Sequence, residues 1–156
     1  MRKSDRGTTL LIVLLFTVVT AAITIYYLFF FSKPPGEQAV EVVDTFYTYE
    51  QDGAFSDSWA MFHPLMKEKF PKGHYLQDRA HIFMNHFGVT TFTYTLSEAM
   101  EVKNWKIEKG AEPIPTTYMV TVTQVYKGKY GNFSIVQDLY TTIVDGEWKV
   151  LWDYKK

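Results

Sequence analysis

The residues that could do chemistry are few and fall in two places. His74, Asp78 and His81 recur at i, i+4 and i+7, so on a helix they share one face. Imidazole and carboxylate side chains so arranged are ligands a divalent metal could take. The sequence offers no fourth ligand nearby, and a solvated helix face accounts for the same spacing. No cofactor is expected. The second place is a set of alternating residues near the C-terminus: Tyr118, Gln124, Gln137, Thr141 and Tyr154. If they lie on strands, they point to one face. A lining of glutamine and tyrosine can hold a polar ligand or a peptide. It contains no carboxylate or imidazole, so it supplies no general base. No Gly-x-Ser-x-Gly elbow occurs, and Gly128-Lys129-Tyr130-Gly131 reads as a hairpin tip rather than a phosphate loop. Cysteine is absent, which removes disulfides, thiolate nucleophiles and cysteine-bearing zinc sites.

The elements that would position these residues are legible from periodicity. Ala39, Val40, Val43, Phe46 and Tyr47 follow helical spacing, predicting an amphipathic helix over 37–51 that Asp52-Gly53 closes. A broken helical stretch over 57–70 carries Trp59, Met61, Phe62, Leu65, Met66 and Phe70, with Pro64 dividing it. His63 before that proline reads as a helix-end or packing residue. A third helix, over 74–87, carries Tyr75, Ile82, Phe83 and Phe87, with His86 as a partly buried polar tip.

From Val89 the period changes to 2. Strands are predicted over 91–96, irregularly around Val102, Trp105 and Ile107, and cleanly over 117–127, 133–144 and 148–155. The two-residue Asp145-Gly146 turn sets a register pairing Val144 with Glu147, Ile143 with Trp148, Thr141 with Val150 and Leu139 with Trp152. A hairpin loop over 128–131 pairs Tyr126 with Phe133, Val122 with Gln137 and Val120 with Leu139. Both registers place Tyr118, Val120, Val122, Tyr126, Phe133, Ile135, Leu139, Ile143, Trp148, Val150 and Trp152 on one face, which the helices should cover. They also set Asp138 opposite Asp153, an unfavourable like-charge pair.

Ahead of this domain, Thr8 to Phe31 is 24 residues without a charge. A helix of that length spans about 36 Å, enough to cross a hydrocarbon core of about 30 Å. Arg2, Lys3 and Arg6 precede the run and Lys33 follows it, so the positive-inside rule puts residues 1–7 in the cytoplasm and the bulk outside. A cleaved signal peptide is the competing reading, but cleavage after Ala22 would leave a mature terminus beginning Ile-Thr-Ile-Tyr-Tyr-Leu-Phe-Phe-Phe. Residues 32–36 read as a short proline-stiffened linker, leaving 37–156 as the extracytoplasmic domain. That domain holds 12 basic and 16 acidic side chains, a balance that argues against nucleic acid.

Helices followed by a curved antiparallel sheet ending in long hairpins resemble the NTF2-like, or cystatin-like, α+β cone. Locally the chain resembles the membrane-anchored NTF2-like N-terminal domain of methicillin-resistance-type penicillin-binding proteins. That resemblance rests on Phe46-Tyr47, Trp59, Phe62-His63-Pro64, Lys67-Glu68-Lys69-Phe70, Tyr75-Leu76 and the strand from Trp148 to Tyr154. It implies a noncatalytic spacer at a bacterial cell surface. The anchor-plus-cone plan is also similar to scaffold subunits of secretion machines, which implies a protein partner or self-association. Some proteins with this cone are enzymes, such as ketosteroid isomerase, but they need an inward acid or base that the three long strands here lack. The functional readings therefore rank as an interaction or spacer module, then a ligand or peptide pocket, then an enzyme.

Overall fold

The computed structural model describes residues 4–31, 33–81, 91–128 and 131–153. The chain divides between Pro34 and Pro35 into two compact units.

The first unit is a single helix, α1 (Ser4–Phe31). Within it Gly7–Tyr26 is long and apolar enough to cross a membrane, and none of it is buried by protein. This suits a single-pass anchor, and a signal sequence has the same length and composition. Leu10, Leu15 and Phe16 are each at least two-thirds exposed, so the helix has no core to face. Its threonines turn inward to the backbone: Thr17 Oγ1 donates to the Leu14 carbonyl at 2.8 Å and Thr24 Oγ1 to the Thr20 carbonyl at 2.9 Å. Such bonds remove the hydroxyls' need for water.

The second unit is α+β. Its helices are α2 (Pro35–Gln51), α3 (Phe55–Ala60), α4 (Pro64–Lys69) and α5 (Lys72–His81). Its strands are β1 (Phe92–Leu96), β2 (Met100–Trp105), β3 (Ile114–Gly128), β4 (Gly131–Val144) and β5 (Glu147–Trp152). Helix α2 starts two residues earlier than its periodicity suggests, so Pro35 and Gly36 are helical rather than linker. Proline suits this position because a first-turn N–H has no intrahelical partner to lose. Gly53 takes φ 74° just past its end, as a left-handed cap requires. The expected continuation of α5 to Phe87, with His86, lies outside the described residues.

The sheet is antiparallel, in the order β1-β3-β4-β5, with β2 also paired to β3. Strand β3 is long enough for β1 to pair with Val122–Tyr126 and β2 with Ile114–Met119 along the same edge. Ser97 bridges the interval, its N–H donating to the Thr121 carbonyl and its Oγ accepting from the Thr121 N–H, both at 3.0 Å. The registers of β3 on β4 and β4 on β5 are those the turn residues predict. Asp145 and Gly146 both take positive φ, as this turn demands. Strand β3 begins at Ile114, earlier than expected, because Pro113 and Pro115 stand at a strand start, where proline is tolerated.

The helices cover the middle of one sheet face. Val43, Phe46 and Tyr47 of α2 and Phe62, Met66 and Tyr75 meet Val120, Val122, Leu139 and Val150, all buried. The rings interlock edge to face, as Phe62 does with Trp152 at 5.0 Å. A parallel bridge of Phe62 to Val150 ties the α3–α4 junction to β5. Two residues expected in this core are exposed: Ile135, at 42%, lies beyond the described end of β5, and Ile143, at 57%, sits beside the terminal hairpin turn. The other face carries buried apolar residues as well. Trp105 stacks on Tyr140 at 4.2 Å, with Ile107 and Leu151 buried in the same unit. Asp138 is matched across the ladder by Thr121, whose Oγ1 donates to its Oδ1 at 2.6 Å.

Candidate functional site

A chain of hydrogen-bonded side chains runs between α2 and the sheet. Tyr126 Oη donates to Gln124 Oε1 at 2.6 Å, Gln124 Nε2 donates to Tyr47 Oη at 3.3 Å, and Tyr47 Oη donates to Gln137 Oε1 at 3.3 Å. The chain runs in one direction, each group donating onward, and it joins α2, β3 and β4. Burial raises the Tyr47 phenol well above the tyrosine range and pushes that of Tyr126 up to about 12. Both are therefore neutral donors at any physiological pH.

Beside this chain lies a buried ionic cluster. Glu50, on the inward face of α2, is 2% exposed. Its Oε1 accepts from Ser58 Oγ of α3 and from Tyr75 Oη of α5, the latter at 2.5 Å. Its Oε2 pairs with the Arg79 guanidinium of α5, which is itself largely buried. Burial, the largest influence, would lower the Arg79 pKa, but Glu50 together with the Tyr75 and Tyr126 hydroxyls turns the net direction up. Burial and the same carboxylate raise Tyr75. One carboxylate thus fastens three helices. Ser58 is fully buried and its hydroxyl donates a hydrogen bond to Glu50, which ties α3 to α2.

An open groove of about 590 Å³ lies at the end of the sheet that carries the β4–β5 turn. One wall comes from Pro113, Ile114 and Pro115 at the start of β3, another from Ile143 and Trp148, and a third from His63 and Pro35. Trp148 meets Tyr118 edge to face at 5.7 Å, and its indole Nε1 donates to Gln38 Oε1 at 3.1 Å, which fixes the ring. His63 caps α4, its Nδ1 accepting from the Leu65 N–H at 3.2 Å. Burial holds the His63 pKa below its ordinary value, although Glu68 pulls the other way. Accepting that bond also requires a neutral ring.

The residues singled out in the sequence are thus dispersed. Gln124 and Gln137 belong to the interior chain. Thr141 is buried and its Oγ1 donates to the Tyr118 carbonyl at 3.4 Å. The Tyr118 ring lines the groove, and Tyr154 lies outside the described residues. His74, Asp78 and His81 are all exposed on α5. Among the described residues, no three His, Cys, Asp or Glu side chains converge as a metal-binding group. Glu50 and Arg79 escaped sequence reasoning, although position 50 continues the 39, 43, 46, 47 face and position 79 lies one turn beyond Tyr75. No protein-family model matches the chain, and no curated protein is significantly similar to it.

Proposed function

We propose that this chain is a membrane-anchored module of NTF2-like type that acts by protein contact rather than by catalysis. In this reading α1 stays in the membrane and the unit from Pro35 stands outside the cytoplasm, at a cell envelope. The observation that carries the reading is that the inward polar side chains turn onto one another. Gln124, Gln137 and Glu50 are turned onto Tyr47, Tyr126, Tyr75, Ser58 and Arg79, so the volume that an enzyme or ligand carrier of this architecture would keep open is occupied. What remains accessible is an apolar groove at the end of the sheet.

Crosslinking of the full chain in intact cells, followed by mass spectrometry of the crosslinked peptides, tests this. The reading requires reproducible crosslinks from the 35–153 unit to another envelope protein or to a second copy. A chain that is monomeric and uncrosslinked at native abundance contradicts it. Orientation is tested separately on the cysteine-free background by placing one cysteine at exposed Glu98. A membrane-impermeant maleimide should label it in whole cells.

A further inference from the structure

We infer that the groove between Trp148, Tyr118 and Pro113–Pro115 is a docking site for an extended, proline-rich peptide segment carrying a basic side chain. The inference rests on the contact reading above and gives it a surface and a partner chemistry.

Three features select this occupant. The first is a shortage of free polar groups. The Trp148 indole N–H is used by Gln38 at 3.1 Å, and the Thr142 hydroxyl is used by the Thr116 carbonyl at 2.9 Å. The Thr116 hydroxyl accepts from Lys103 at 3.1 Å, and His63 Nδ1 is held by the Leu65 N–H. Most of the lining is apolar, and the Tyr118 hydroxyl and the exposed Glu112 carboxylate are among its few acceptors, so a segment laid against it would leave most of its own N–H groups without a partner in the groove, at a cost comparable to a lost hydrogen bond for each. Proline has no N–H, and a polyproline II segment makes no internal backbone hydrogen bonds and keeps its carbonyls toward water. The second feature is shape. An aromatic pair facing rigid proline walls is the surface against which such segments dock, and the tie to Gln38 means the indole need not be ordered on binding. The third is charge. Among the described residues lining the groove, Glu112 is the only one with a formal charge, it is exposed, and it has no ion-pair partner among the described residues. One arginine or lysine on the peptide would answer it.

The test uses the full chain in detergent micelles and a fluorescently labelled synthetic peptide of alternating proline and leucine with one central arginine. A second peptide carries glutamate at that position. Binding of the arginine peptide to the wild-type chain is expected to weaken about fivefold in Glu112→Lys, which should then prefer the glutamate peptide. Ile143→Asp changes a groove residue that is already 57% exposed and should weaken binding about tenfold or more while leaving the unfolding midpoint unchanged. No binding to the wild-type chain overturns the inference, as does equal binding to all three proteins. If wild type and Ile143→Asp give the same crosslinks in cells, the contact reading stands and the groove assignment falls. If the wild-type chain gives none, the contact reading falls with it.

Discussion

Replacing Arg79 with methionine should remove a large part of the stability of the Pro35 unit. Methionine keeps most of the aliphatic stem and deletes the charge. Glu50 Oε1 would retain Ser58 and Tyr75, but Oε2 would lose its ion-pair partner inside the protein. Breaking a buried pair from one side costs about 3–5 kcal/mol. The two surviving donors place this case at the lower end, about 3 kcal/mol. With a urea slope of about 2 kcal/mol/M, the unfolding midpoint should fall by about 1.5 M. Glu50→Met should cost less, about 2 kcal/mol, because the Arg79 side chain is 20% exposed and can turn its charge to water. The double variant should lie within about 1–2 kcal/mol of wild type, since both charges leave together and only the Ser58 and Tyr75 hydroxyls need new partners. Trp152, 6.1 Å from Tyr75, reports unfolding near the cluster by its fluorescence. If Arg79→Met costs under about 1 kcal/mol, or if the double variant is as unstable as the two single losses combined, the cluster does not fasten the helices as described.

Other perturbations probe other parts of the fold. The neutral His63 ring caps α4 and its folded pKa is lowered, whereas the unfolded chain protonates near pH 6.5. Its contribution is therefore complete above about pH 6.5 and lost as pH falls below it; His63→Asn, which can accept the same bond without titrating, should show a flatter stability profile between pH 7.5 and 5.5. Trp105→Ala should cost about 3–5 kcal/mol in urea unfolding, because the residue is 6% exposed and stacked on Tyr140. Trp105→Phe should stay within about 1 kcal/mol of wild type, since the buried indole N–H has no hydrogen-bond partner among the described residues to lose. Gly146→Ala should destabilise by about 1 kcal/mol: nothing lies within 4 Å of the added methyl, so only the positive φ of 80° opposes it.

The hairpins were legible because their signals are local. Asp145-Gly146 fixes the β4–β5 turn, and with a period of 2 a fixed turn determines every pair in the ladder. The helix starts and the irregular β2 followed from proline and apolar spacing to within a few residues. The buried residues of the other face were not legible, because Trp105, Tyr140 and Leu151 come from three strands, and Tyr140 and Leu151 alternate with the residues of the helix-covered face. Gln124 and Gln137 read as a ligand lining in the sequence; their hydrogen-bond partner Tyr47 lies far away on α2, where its spacing marks it only as apolar. Glu50 and Arg79 carried a fainter signal, a charge on the apolar stripe, which periodicity alone treats as an interruption. The groove draws on α2, the α3–α4 junction, the start of β3 and the β4–β5 hairpin, and no local pattern announces so composite a surface.

The central claim is that this unit works through contact at its sheet-end groove. The most direct measurement places a photocrosslinking amino acid at Ile143 of the full chain in living cells, with Val136, 64% exposed on β4 and not a groove residue, as the control position. The account predicts a discrete adduct from Ile143 that Glu112→Lys diminishes, its crosslinked peptide rich in proline and bearing a basic residue, with no matching adduct from Val136. Adducts from Val136 alone, or from neither position, would contradict it.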